Sequence, residues 1–343
     1  MSASTPSWLA QVPSRPFVER GLETHFALTP GDRALVEAGA TVAAGEPLLE
    51  RLRDRRIDEI AIPAAQAEAA GAMAGMRWAP GVPAGRRRPE HEVEGELLAP
   101  VPGSRDRWRL VTGDHRDALD APLAGEIVDV RPGAEMRLRA AGLALVGSFA
   151  AGSAAHGPLA LATDPFGDLR PGGIDVGRAG SILVVGSRID AEALTRARAM
   201  GVRGIVVASL PGKELRDFQA SERRQRAALH PAPPFGVLVL EGAIRRRIPS
   251  PIMAVFERLA GHDVSLLVDP PALVFNGADV VLPEVAPDWV HVRSGPDAGA
   301  EGRIVGLSGL RRFAANVMLE SGRVALDGAG VVDLPLGDLE RFV

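Results

Sequence analysis

The chain has no cysteine, no tyrosine and a single lysine, and aromatic residues make up only 4% of its 343 positions. Without cysteine there can be no disulfide, no thiolate nucleophile, no cysteine-held iron–sulfur cluster and no cysteine zinc site. The lone lysine, Lys213, excludes a phosphate loop of the G-x-x-x-x-G-K-[ST] kind and leaves one candidate for Schiff-base chemistry. It lies beside Glu214 at the start of an expected helix, where it reads as a solvated cation. No G-x-S-x-G is present, which argues against a hydrolase elbow, and no G-x-G-x-x-G follows Val185 or Val207, where a dinucleotide fingerprint would fall. The seven histidines, His25, His91, His115, His156, His230, His262 and His291, form no H-x-H or H-x-x-x-H pair, so local metal spacing is missing. His91 and His115 read as exposed turn residues, and Asp164 and Asp168 as turn formers rather than a cation pair. The remaining basic residues are all arginine, a skew that reads as a GC-rich bacterial coding bias. The formal net charge is −4.

Long apolar runs are also scarce. Residues 140–163 lack charge for a length that could span a bilayer, but Gly142, Gly147, Gly152, Gly157 and Pro158 interrupt them, so glycine-rich strands are expected instead. The N-terminus has no basic and apolar leader pattern. A cytoplasmic protein without a membrane span and without a cofactor is the expectation.

What the chain does contain is clearest from Ser181 to Ala208. An apolar, β-branched run through Val185 reads as a buried strand. Asp190 then reads as an N-cap, with Ala193, Leu194, Ala197 and Met200 at helical spacing until Gly201. A second buried strand follows from Gly204, so the stretch is a βαβ unit with parallel strands. Further on, a helix is expected over 211–229, stopped by His230-Pro231, with Leu215, Phe218 and Ala227 on one face and Arg223, Arg224 and Arg226 exposed. A strand over 235–240, a helix over 249–259 and a strand over 264–268 complete a small, mostly parallel sheet.

The expected architecture is multidomain α+β. Residues 1–20 form a lead-in, 21–163 a β domain with a low-complexity loop at 64–95, 164–180 a linker, 181–278 the central α/β domain and 279–343 a small barrel. Arg86, Arg87 and Arg88 in that loop are followed by Glu90, Glu92 and Glu94, which makes a self-neutralised, solvated segment.

Three resemblances sharpen this. Residues 28–50, with Gly39 and Gly45 six apart, resemble one half-motif of a lipoyl- or biotinyl-type barrel-sandwich hybrid, and 121–142 resemble the other half. The turn glycines would supply positive φ. The acceptor lysine of such carriers is missing, so the resemblance implies the fold alone. Gly180 to Gly186 and Gly201 to Val207, at the start of the central domain, are similar to the strand and the helix-to-strand joint of protease-associated or swivelling β/α domains, which implies a non-catalytic role. Residues 289–307, W-V-H-V-R-S-G-P-D-A-G-A-E-G-R-I-V-G-L, resemble the KOW motif of NusG-type transcription factors and ribosomal proteins, and L-P-L-G-D-L-E near the C-terminus resembles the closing phrase of SH3-like barrels.

The KOW resemblance makes Trp289, His291, Arg293, Gly295, Pro296, Gly299, Gly302, Arg311 and Arg312 a candidate interaction surface, with Arg245, Arg246 and Arg247 as a weaker basic patch. Nucleic acid is the partner the motif suggests. Residues 279–343 nevertheless hold six arginines against ten acidic residues, which opposes a phosphate-binding face. The first expectation is therefore a non-enzymatic scaffold or adaptor that binds proteins. A nucleic-acid, ribosome or polymerase-associated factor is the second, and an enzyme with a site between the hybrid and the α/β domain is the third.

Overall fold

The computed structural model describes residues 6–78, 94–228 and 233–343. The chain is β-rich, with several sheets and four α-helices among the described residues, and it divides into two compact units: residues 23–141, and residues 1–22 together with 142–343. The arginine run 86–88, His91 and the His230-Pro231 stop lie outside the described residues.

Unit 23–141 holds three small sheets. Glu23–Ala27, Glu135–Ala140, Gly125–Arg131 and Thr41–Val42 form one, and Arg116–Asp120, Pro47–Leu52 and Arg33–Ala34 a second. The third is Arg56–Ala61, Arg107–Thr112, Gly95–Pro100 and Arg77–Trp78, packed over Ile60, Ile62, Leu97 and Leu110. Gly39 and Gly45 both have φ of 85°, as tight turns require. Their amides donate to Ile127 O and Ala121 O, at 2.7 and 2.8 Å, so each turn of the first half-motif is tied to the second.

In the other unit the βαβ reading holds. Strands Ile182–Ile189 and Gly204–Ser209 are parallel neighbours, joined by helix Ala191–Ala199, whose N-cap Asp190 accepts a 2.7 Å hydrogen bond from Ala193 N. Gly236–Gly242 continues the parallel set after helix Gly212–Ala228. The alternation along the strands sorts two cores. Leu183, Val185, Val207 and Val239 face the helices Ala191–Ala199 and Gly212–Ala228 through Leu194 and Phe218. Ile182, Val184, Val206 and Leu238 face helix Ser250–Leu259 through Ile252, Val255 and Phe256.

The sheet is larger and less parallel than expected. It has ten strands, because Leu143–Val146, Phe149–Gly152, Ala155–Leu161, Ala272–Phe275 and the short Glu19–Arg20 and Asp168–Leu169 join the four expected ones, and Asp263–Leu267 pairs antiparallel on both sides. The uncharged stretch 140–163 thus forms three strands of the α/β sheet, and the division between the units falls at 141/142 rather than after 163. Among the described residues no helix is long and apolar enough to cross a membrane.

The last sheet runs in the order Ser14–Arg15, Leu339–Phe342, Trp289–Val292, Glu301–Arg312, Met318–Leu326, Gly330–Pro335. Its core contains Leu9 and Val12 with Val290, Val292, Ile304, Val324 and Leu339. The lead-in is therefore built into the sheet, by a parallel pairing of Ser14 with Arg341 and by two buried side chains. The 164–180 linker is likewise integrated: Asp168–Leu169 pairs with Ile182–Ile189, and Leu169 and Ile174 are buried against it.

Candidate functional site

Strand Trp289–Val292 sends Val290 and Val292 into its own sheet's core and turns Trp289 and His291 to the opposite face. That face is covered. Trp289 stacks on Phe342 with centroids 5.1 Å apart, and His291 is only 2% exposed. His291 Nε2 is 3.0 Å from Oε2 of Glu241, the residue that ends the apolar run of strand Gly236–Gly242. Arg15 reaches Glu241 at 3.1 Å and Glu340 at 2.9 Å, Arg293 reaches Glu340 at 3.3 Å, and Arg246 lies 3.6 Å from Glu241. Burial pushes the Glu241 carboxyl up, but the hydrogen bond from His291 and the charges of His291, Arg15 and Arg246 outweigh it and hold the group below the ordinary carboxylate range. This buried network ties the two sheets and the N-terminal segment together.

Beside it a cleft of about 590 Å3 opens at the carboxyl end of the parallel strands. Its lining includes Phe166, Ser187, the three arginines 245–247, Glu301 and Asp327. Arg247 donates to Gly299 O at 3.0 Å, pairs with Glu301 at 3.2 Å and lies over the Phe166 ring. Glu301 is further occupied by the amide and hydroxyl of Ser250. Arg245 is held at the rim by Asp168, 2.9 Å away. The Arg246 side chain is 8% exposed, and its Nε and Nη1 have no hydrogen-bond partner.

The third feature is an arm. Glu301–Arg312 and Met318–Leu326 form a hairpin that outruns the rest of the sheet: Trp289–Val292 pairs only as far as Arg303 on one side, and Gly330–Pro335 only to Ser321 on the other. Opposed residues share a face, so Leu310 and Glu320, with Arg312 and Met318, lie on one face and Arg311 and Leu319 on the other. Leu310 is 60% exposed and Met318 50%, and Val305, Val317 and Leu319 are exposed too. Residues 303–325 carry four arginines and one acidic residue.

The sequence-expected surface is thus not one surface. His291 and Gly302 are buried, and a Cβ at Gly302 would stand 2.1 Å from Ala325 O, so this glycine serves a close strand approach and not a turn. Trp289 is half-buried, Arg293 is exposed but paired, and Gly299 backs the cleft against Arg246. Gly295 and Pro296 form an exposed turn, with Gly295 at φ 86°. Arg311 and Arg312 are exposed on the arm. Arg245, Arg246 and Arg247 are no free basic patch, since the Arg246 side chain is turned inward and each faces a carboxylate.

Glu241, Glu340, Glu301, Arg15 and the apolar arm residues were not singled out from the sequence. A carboxylate inside or ending an apolar run, as in V-L-V-L-E, is the signal that could have found Glu241, because such a group is buried only with a partner. No family model matches the chain, and no curated protein matches it.

Proposed function

We propose that the chain is a non-enzymatic adaptor that binds another protein through the hairpin arm formed by Glu301–Arg312 and Met318–Leu326. The observation that carries this reading is the exposure of Leu310, Val317, Met318 and Leu319 on a two-stranded projection, where they contribute little to either core. In this reading the C-terminal sheet is a KOW-type, SH3-like module, supported by the antiparallel pairing of Trp289 with Arg303 and by positive φ at Gly295 and Gly299. Unit 23–141 is a barrel-sandwich-hybrid-like module, supported by the hydrogen bonds from Gly39 and Gly45 to the second half-motif. The buried network around Glu241 and His291 supports a scaffold role, because it fixes the arm-bearing sheet to the α/β sheet.

The test is affinity capture from the native host with the wild-type chain and with the double variant Leu310→Asp, Met318→Asp. The expected result is loss of the captured partner with the variant; undiminished capture would overturn the reading. The four arginines of 303–325 favour nucleic acid as a second reading. Against it, the only aromatic residue of the arm is the half-buried Phe313, so bases have little to stack on. A low-salt gel shift that weakens in Arg311→Glu, Arg312→Glu would move the assignment to nucleic acid.

A further inference from the structure

The cleft beside the buried network has a position that its lining alone does not reveal. From strand Gly204–Ser209 the chain leaves to helix Gly212–Ala228 on one face of the sheet. From the adjacent Gly236–Gly242 it leaves through residues 243–249 to helix Ser250–Leu259 on the other face. Adjacent parallel strands whose exits diverge in this way open a crevice at their carboxyl ends, the place where open α/β sheets bind small ligands. The three arginines stand on the second of these exits, and Ser187 is at the carboxyl end of the neighbouring strand Ile182–Ile189.

The charges there are unevenly spent. Arg247 is committed to Gly299 O, Glu301 and the Phe166 ring, and Glu301 to Arg247 and Ser250. Arg246 belongs to the buried network instead: its Nη1 lies 3.6 Å from Glu241, and its Nε and Nη1, which make no hydrogen bond, have no surface open to the cleft. Its nearest carboxylate, Glu241, already accepts from His291 and Arg15. The Arg245 side chain is 62% exposed; it pairs with the rim residue Asp168, which an incoming acceptor could displace, and its Nε donates to Ser187 Oγ at 3.4 Å. Phe166, 64% exposed, offers an apolar ring at the same mouth. A cavity of this volume is of the size that holds a small metabolite.

We infer that this cleft binds a small organic anion, whose phosphate or carboxylate group docks against Arg245 and Ser187 with its body against Phe166. The inference is independent of what the arm binds. A purely structural role for the arginines makes the opposite forecast, because then no anion should compete with Asp168.

Isothermal titration of the full chain with pyrophosphate, inorganic phosphate and succinate, at ionic strength held constant with sodium chloride, separates the two. Saturable binding of a phosphate probe identifies a phosphorylated ligand class, and binding of succinate a carboxylate one. Arg245→Gln should weaken that binding roughly tenfold, the worth of one charge-assisted contact. Asp168→Asn should tighten it about threefold by freeing Arg245. Both positions are at the rim, so neither variant threatens the fold, whereas Arg246→Lys alone could. No saturable heat from any probe up to about 10 mM, in wild type and in Asp168→Asn, overturns the inference, since that concentration is well above ordinary metabolite affinities. Binding that ignores both rim variants also overturns it, because the anion is then held elsewhere.

Discussion

His291 and Glu241 meet at 3.0 Å across two different sheets, each side chain 2% exposed, with Arg15 and Arg246 closing on the same carboxylate. A buried ion group of this kind adds modest net stability when complete, yet losing one member strands the others. Glu241→Ala leaves Arg15 and Arg246 without their shared counter-charge, and should cost about 3–5 kcal/mol in urea unfolding. Glu241→Gln keeps the shape and one acceptor and should cost less. Equal stability of both variants and wild type would show that the network is not closed in solution.

The acid limb of stability follows from the same group and from Asp32. In Glu241 the charges and hydrogen bond of its partners prevail over burial, and the carboxyl is held below its ordinary 4.5. In Asp32 burial again raises the value, but hydrogen bonds from Thr29 and from the amides of Leu52 and Thr29, with Arg55, bring it below 3.8. A carboxyl whose folded value is depressed binds its proton more readily in the unfolded chain. Its stabilising contribution is complete above the ordinary value and is lost as pH falls through the folded one. Unfolding midpoints measured from pH 7 down to pH 3 should therefore drop below about 4.5, and the drop should be shallower in Glu241→Gln and in Asp32→Asn.

Gly302 separates close packing from turn chemistry. A methyl group there meets Ala325 O at 2.1 Å and the Leu326 Cα at 2.8 Å, and both are backbone atoms that cannot swing aside. Gly302→Ala should destabilise by about 3 kcal/mol or more through overpacking. Gly295→Ala, where φ is 86° and the nearest atom is 3.6 Å away, should cost about 1 kcal/mol from backbone strain alone. Thermal unfolding of the two variants side by side checks the ranking.

The βαβ unit was legible because its side chains alternate and then recur at helical spacing, and because Asp190 and Gly201 mark the helix ends in one dimension. Leu9, Val12, Leu169 and Ile174 carry no such period. None lies in a run long enough to show a strand or helix pattern, and only the partner that covers each reveals its role. Trp289–Val292 misled for another reason. Its alternation implies a buried face and a wet face, but a strand packed on both sides hides His291 as fully as Val290. The network's members come from residues 15, 241, 246, 291, 293 and 340, so no local window contains it.

The arm can be distinguished from misjudged core by stability alone. Leu310 and Met318 sit on one face of the hairpin, both at least half exposed, beyond the strands that flank its base. Replacing both with aspartate removes apolar surface that is already wet, so the unfolding free energy should move by less than about 0.5 kcal/mol per site. Leu339→Ala, at a position with no exposure in the same sheet, should cost about 3 kcal/mol by opening a cavity. If the double aspartate variant unfolded as easily as Leu339→Ala, the arm would be packed in solution and unable to present its apolar face. If it kept wild-type stability, any binding it loses must be charged to the surface of the arm itself.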